Sequence, residues 1–396
     1  MYRNKILNIS FFFIIILLFA FYEYSEMYST VLSKLELETS GNAYKYKLIL
    51  FILCGFFSLF QSRPRFFFSG IFTLLMVCVW GISLWHHPDS IIGSLIFSTN
   101  MLLPIVLFFY FFYIAQTIES KYFYIGCLVA VLIIFYAFID TYQIQFVSAL
   151  TNEVKASTSY IFLFLLPLFI LSENRFVKWG AVLFVASIIV FSLKRGGIIS
   201  FSVALIVYFV INTICTGRKV RFKAFISTLF VLLAIYFFVS WRLEQYMDEL
   251  LFRIYSIADD GGSSRDSVYE VTWKMIAGSS FSSLCLGHGW NMVIMNSPME
   301  LSAHNDLLEV IYDFGVLVAF LYIYFVYRLY KTMFQLIKSH SENAAPFAFS
   351  VITFTINSTI AHILIYPFNF IAVAAVWGYI LGKEKMSIQA FQIAKR

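Results

Sequence analysis

The chain has 396 residues, 61% of them hydrophobic and 13% charged, with a mean hydropathy of +0.82. A soluble domain carries roughly 25% charged residues, so the composition excludes a water-facing globule and makes lipid the solvent of most side chains. The net charge of +6 is spread over short gaps between apolar runs instead of forming a patch, which excludes nucleic acid as a partner.

A hydrocarbon core about 30 Å thick needs ~20 residues of helix. Apolar runs of roughly that length fall near residues 6–22, 46–61, 66–85, 95–115, 122–140, 158–172, 177–193, 198–215, 224–240, 310–330, 346–364 and 366–382. They predict an all-α integral membrane protein, a single polytopic domain over residues 1–396 with about 12 transmembrane helices. The first run follows Met1-Tyr2-Arg3-Asn4-Lys5 as a signal peptide would. Phe21-Tyr22-Glu23-Tyr24 offers no small-residue cleavage site, so an uncleaved anchor is expected.

Lysine and arginine set the orientation. With the N-terminus in the cytosol and the runs alternating, the inside receives 18 of the 28 basic residues, beside only Glu119, Glu173, Glu342 and Glu384. That bias predicts both termini on the cytoplasmic side, and the tract Gly217-Arg218-Lys219-Val220-Arg221-Phe222-Lys223 alone would resist translocation. Residues 241–305 then form one large outer, periplasmic loop. The other outer loops are short: about 23–45, 86–90, 141–157, Lys194-Arg195 and 365.

Within the large loop Val268, Val271 and Met275 recur at helical spacing, predicting a short amphipathic helix that begins near Arg265 and lies against the membrane face. Ser267 and Glu270 match a capping box, with Ser263 and Asp266 as a competing match. Asp259-Asp260-Gly261-Gly262 before the helix and Gly287-His288-Gly289 after it are expected turns. Of the five cysteines, Cys54, Cys78, Cys127 and Cys215 lie in or beside apolar runs and Cys285 lies in the loop, a scatter with neither disulfide framework nor metal spacing.

Candidates for chemistry gather on the outer face. Lys194 and Arg195 sit between two runs, in Ser192-Leu193-Lys194-Arg195-Gly196-Gly197. They either snorkel to headgroups or serve a site, and the side disfavours idle cations. Arg265, near a helix N-terminus, suits an anion, the bland alternative being a surface arginine beside Asp266. His304 lies in Ser302-Ala303-His304-Asn305-Asp306-Leu307-Leu308-Glu309, where the loop re-enters the membrane, and an imidazole there can accept a hydroxyl proton. Asp306, Glu309 and Asp313 follow on one helical stripe, where they could orient His304 or neutralise the arginines. For Asp306 a helix N-cap is the preferred reading, and Gly315 allows close helix packing. His86-His87 beside Asp89 lack a third metal ligand, and His288 reads as a turn residue. His362, near Tyr366 and Pro367, could line the same cavity as His304. There is no Walker loop, dinucleotide fingerprint, serine elbow or zinc motif.

Three segments resemble the O-antigen ligase and polymerase family of bacterial envelope glycan enzymes. Phe191-Ser192-Leu193-Lys194-Arg195-Gly196-Gly197 resembles its S-x-S-R-G motif, with Lys194 in place of the second serine. Ser264-Arg265-Asp266 through Trp273, then Leu286-Gly287-His288-Gly289-Trp290, resembles the arginine helix and glycine turn of the outer loop. Ser302 through Glu309, then Asp313-Phe314-Gly315, resembles the H-N-x-x-L-E…G stretch that closes it.

The resemblance implies a membrane-embedded glycosyltransferase of the bacterial inner membrane with an undecaprenyl-diphosphate-linked oligosaccharide as donor. The family's essential arginines match Arg195 and Arg265, and its essential histidine matches His304. Arginines aimed at a diphosphate leaving group act where charge develops, so no metal and no cofactor are expected. Lys194, Glu309, Asp313 and His362 are the expected substrate-binding residues. The partners implied are the lipid-linked glycan, membrane lipid and, for a polymerase, a chain-length regulator protein. Polymerase is favoured over ligase by the high Phe content and by Ser302 standing where a ligase-like H-x-H-N variant has its first histidine. A lipid-linked oligosaccharide flippase is a third reading, opposed by polar residues concentrated on one face without repeated halves.

Overall fold

The computed structural model describes residues 2–34, 43–61, 67–86, 91–148, 157–192, 194–216, 265–364 and 367–394. Its long helices are α1 (Tyr2–Lys34), α2 (Ala43–Gln61), α3 (Phe67–His86), α4 (Ile91–Thr117), α5 (Ser120–Ser148), α6 (Tyr160–Ile170), α7 (Arg175–Phe191) and α8 (Arg195–Thr216). After them come α9 (Arg265–Ala277), the short α10 (Phe281–Leu286) and α11 (Met292–Asn296), then α12 (Asp306–Lys338), α13 (Ala344–Ile360) and α14 (Pro367–Ala394).

Among the described residues there is no strand, as expected where lipid cannot satisfy backbone groups. A helix covers each predicted apolar run except 224–240, which lies outside the described residues together with the first part of the large loop and its Asp259–Gly262 turn. Among the described residues six helices are long and apolar enough to cross a membrane: the segments Ile6–Ser29, Ser69–His86, Thr99–Thr117, Ser120–Tyr142, Gly196–Thr216 and Asp306–Lys338. Tyr160–Ile170 and Ala344–Ile360 are apolar but shorter.

The chain divides into two compact units. The first comprises Met1–Trp80, Asp89–Phe169 and Pro367–Arg396. Its core is aromatic: Phe123 stacks on Tyr379 at 3.6 Å, and Phe72 meets Phe108 and Trp377 edge to face. α14 lies close against α4 because Gly378 and Gly382 have no side chain to hold the backbones apart. A Cβ would fall 2.1 Å from Phe108 O at the first and 2.4 Å from Phe112 O at the second.

The second unit comprises Gly81–Pro88 and Ile170–Tyr366. Here the membrane helices are joined by polar contacts as well. Asn357 Nδ2 donates to Ser200 Oγ at 2.7 Å, tying α13 to α8, and Tyr322 bonds Ser358, tying α12 to α13. Ring contacts such as Trp179 on Phe209, 5.7 Å apart, add the apolar part of the packing between α7 and α8. Lys194, Arg195, Arg265, His304, Glu309, Asp313 and His362 belong to this unit.

Candidate functional site

The site is framed by the first turns of α12. Asn305 is the N-cap: its side chain accepts from Leu307 N at 3.0 Å and Leu308 N at 3.2 Å. This corrects the expectation for Asp306, which is the first helical residue and points its carboxylate elsewhere. Asp306 Oδ1 accepts from Ile363 N at 2.9 Å and Leu364 N at 3.1 Å, and Ser358 bonds the same carboxyl. One turn on, Glu309 Oε1 accepts from His304 N at 3.1 Å and faces His362 Nδ1 at 3.4 Å. Another turn on, Asp313 Oδ2 accepts from Asn291 N and its Oδ1 from Val293 N, both at 2.9 Å. The predicted stripe of three carboxylates therefore exists, and all three are buried. Each holds a different loop segment by its backbone amides, so a buried carboxyl meets donors that cannot leave it. Only Glu309 bears on His304, and Asp313 serves the 291–293 turn.

The turn predicted at Gly287-His288-Gly289 packs into a break in α12. Gly315 has φ 83° and ψ 166°, so the helix interrupts there. The interruption exposes carbonyls that an unbroken helix would use, and Tyr312 O accepts from His288 N at 3.1 Å while Asp313 O accepts from Gly289 N at 2.8 Å. A Cβ on Gly287 would lie 2.2 Å from Asp313 O, and one on Gly315 2.2 Å from Cys285 O, so both positions need glycine for space and for their positive φ. The sequence anticipated close packing at Gly315 but not a helix break. His288 fills a turn position as expected, stacked on Tyr312 at 4.3 Å with Nε2 2.9 Å from Ser279 Oγ. Beneath this segment Ile276, Val293, Ala303 and Tyr312 form a small core, flanked by Met275 and Ile311.

The loop helix begins at Arg265 as the spacing indicates. Its buried stripe is Val268, Thr272 and Ile276, rotated from the expected Val268, Val271 and Met275 because the core lies toward α12. Ser267 is the third residue of the helix, so the Ser267–Glu270 pair is no capping box. Glu270 instead meets Lys274 at 2.6 Å, and the competing Ser263 lies outside the described residues. Tyr269, one turn after Arg265, donates from its hydroxyl to Thr359 O at 3.0 Å, and Asn305 Nδ2 donates to the same carbonyl at 3.2 Å. This clamp joins α9, the α12 cap and the end of α13. Sequence reasoning missed it, because a tyrosine inside an amphipathic helix carries no signal of a distant carbonyl partner.

These supports bring cations to one imidazole. His304 is half-buried, with a left-handed backbone at φ 51° that the Glu309 bond holds. Its Nδ1 lies 3.4 Å from Ser302 Oγ, and its ring stacks on His362 with centroids 5.0 Å apart and planes 16° from parallel. Burial, then His362, Arg265 and Lys194, hold the His304 imidazole down at about 4, so it is neutral at ambient pH. His362 is likewise held down at about 4 by burial, against the pull of Asp306. Lys194 precedes α8, and its carbonyl accepts the first helical bond from Ile198 N at 3.1 Å. Arg195 opens α8, followed by the buried Gly196 and Gly197, but its side chain lies outside the described part of the structure. The structure thus brings together Lys194, Arg265, His304, Glu309 and His362. His86 Nδ1 contacts Ile82 O at 3.0 Å, within its own helix. Among the described residues no three His, Cys, Asp or Glu side chains form a metal-ligating group.

Two cations beside a neutral, oriented imidazole suit an anionic substrate and removal of a proton from a nucleophile. Residues 180–323, from within α7 to within α12, match a family model described as O-antigen ligase. Lys194, Arg195, Arg265, His304, Glu309 and Asp313 fall inside the match, and His362 lies beyond it. No curated protein matches the chain.

Proposed function

We propose that this multi-pass membrane protein, whose residues 180–323 match a family model described as O-antigen ligase, joins undecaprenyl-diphosphate-linked oligosaccharide repeat units at the periplasmic face of the inner membrane, as an O-antigen polymerase. Lys194, Arg195 and Arg265 bind the donor diphosphate. His304 takes the proton from the acceptor hydroxyl as that oxygen bonds the anomeric carbon, and the carrier diphosphate leaves with the electrons of the broken C–O bond. The cations act where negative charge grows, and the base contributes typically ~10²–10⁴-fold.

The reading is supported by a His304 that Glu309 and His362 hold in place and on which the charges of Arg265 and Lys194 both act. It also suggests an order. With the site empty the cations weaken the base, and a bound diphosphate offsets them, so His304 gains basicity when the donor arrives. Glu309 and Asp313 support the site through the loop backbone instead of touching substrate, whereas Lys194 and His362 remain candidate contacts.

The family model's own description favours a second reading, a ligase that transfers the finished glycan to lipid A-core. Deletion of the gene separates the two on a gel of surface glycan. A polymerase null leaves one repeat unit on the core, the expected result. Bare core with glycan stranded on the carrier lipid would establish the ligase instead, and unchanged chains would overturn both.

A further inference from the structure

His362 stands next to the proposed base without belonging to the stretch that the family model matches. Glu309 links the His304 backbone to the His362 ring through one oxygen: Oε1 accepts the His304 backbone N–H at 3.1 Å and faces His362 Nδ1 at 3.4 Å. Asp306 fixes the segment bearing His362 from the other side, through Ile363 N and Leu364 N. Two carboxyls one turn apart on α12 therefore brace the segments that carry a stacked imidazole pair, 5.0 Å between centroids and 16° between planes.

Resting on the function proposed above, we infer that His362 is a positioning residue for His304, holding its ring plane by stacking and restricting the pair to one proton. The electrostatics follow from the groups that face the pair. Lys194 and Arg265 act on His304, Asp306 and Glu309 face His362, and Tyr269 lies beside Arg265. A first proton on the pair already meets two cations. A second would set two imidazolium rings face to face at 5.0 Å, a like-charge contact in a partly buried place. The free enzyme consequently keeps His304 unprotonated well into the acid range. In the reaction, the one proton taken from the acceptor hydroxyl fills the pair, and it must leave before the next transfer.

Diethyl pyrocarbonate acylates only neutral imidazole, so the pH at which His304 becomes reactive reports its proton. Labelling of the purified full-length protein, read by mass spectrometry at His304, is compared in wild type, His362→Phe and His362→Gln. Phenylalanine keeps a stackable ring but cannot be charged, and glutamine removes the ring. The expected midpoint for wild type is about 4, rising by about 1 pH unit in both variants as the like charge is removed. A merely structural role would change the extent of labelling and leave the midpoint in place. An unmoved midpoint in both variants overturns the inference. The labelling needs no donor, so a protein that shows the shift yet joins no glycan would overturn the proposed function alone.

Discussion

In the first unit Gly378 and Gly382 bring α14 onto α4 with room for no Cβ. In the second, Gly287 and Gly315 do the same for the loop turn and α12, where each Cβ would lie 2.2 Å from a carbonyl oxygen. The first seam joins two continuous helices whose backbone bonds are internal, so close approach needs only shape, and its neighbours are rings such as Phe123 on Tyr379. The second seam joins a turn to an interrupted helix. Its open carbonyls are taken by His288 N and Gly289 N, and its open amides by Asp313. One seam is dispersion between finished helices. The other is a set of obligatory polar pairings, each fixing a direction as well as a distance, and the imidazole pair is built beside it. Chemistry needs the second kind, because a base misplaced by an ångström can cost about 10²-fold.

The sharpest way to break the comparison is to remove chemistry while leaving the polar seam whole. His304→Ala and Arg265→Ala should each abolish long-chain surface glycan, with the lost base alone worth ~10²–10⁴ in rate. Amount and thermal midpoint of the purified protein should stay near wild type. Arg265→Lys should rescue poorly where a bidentate phosphate contact is lost. Normal chain lengths in His304→Ala would remove the base from the proposed mechanism. A protein that disappears from the membrane would instead show that His304 is structural.

Next in size come the two seams themselves. Gly315→Ala must adopt φ 83° and displace Cys285 O, so strain and overpacking act together, each costing ~1–3 kcal/mol. Gly378→Ala meets only the overpacking, ~1–3 kcal/mol, against Phe108 O. Thermal denaturation in detergent should rank Gly315→Ala below Gly378→Ala, and the surviving Gly378→Ala protein should keep the wild-type pH dependence of His304 labelling. Equal losses would mean that the glycine break in α12 is a packing device like the other, with no separate backbone constraint.

Much of this was legible in the sequence, and the limits have physical causes. Runs of apolar residues announce helices because lipid leaves no alternative, and helical spacing indicated a helix at α9 but not which of its faces is buried. The carboxylate stripe Asp306–Glu309–Asp313 was legible as a stripe, but not its partners. Amides at Asn291, Val293, Ile363 and Leu364 are present in any sequence and leave no mark of which carboxylate they meet. Asn305 and Asp306 are adjacent and equally suited to capping. What decides between them is the 363–364 segment, which engages Asp306 and leaves Asn305 the cap. Ser267–Glu270 has the spacing of a capping box inside a helix already begun, where Lys274 at i+4 is the better partner for Glu270. The resemblance pointed to Arg195, Arg265 and His304; the charges of Arg265 and of the neighbouring Lys194 act on His304, while the Arg195 side chain lies outside the described residues. A shared cavity for His362 and His304 was legible, but not the stacking of their rings.

The smallest expected effect belongs to Tyr269→Phe. The substitution deletes the hydroxyl that donates to Thr359 O at 3.0 Å, but Asn305 Nδ2 still reaches that carbonyl at 3.2 Å, so no buried acceptor is stranded. The loss should therefore sit at the low end of the ~0.5–1.5 kcal/mol of a net hydrogen bond. Fold and His304 labelling should be unchanged. What moves is Arg265, one turn earlier on the same face of α9, which loses its nearest tether to α13. Donor affinity should fall a few-fold with the maximal rate nearly kept, measured as KM against kcat on lipid-linked repeat units. If Tyr269→Phe instead costs as much as Gly315→Ala, the strength of the polar seam lies in side-chain clamps like this one, and the break in α12 only makes room for them.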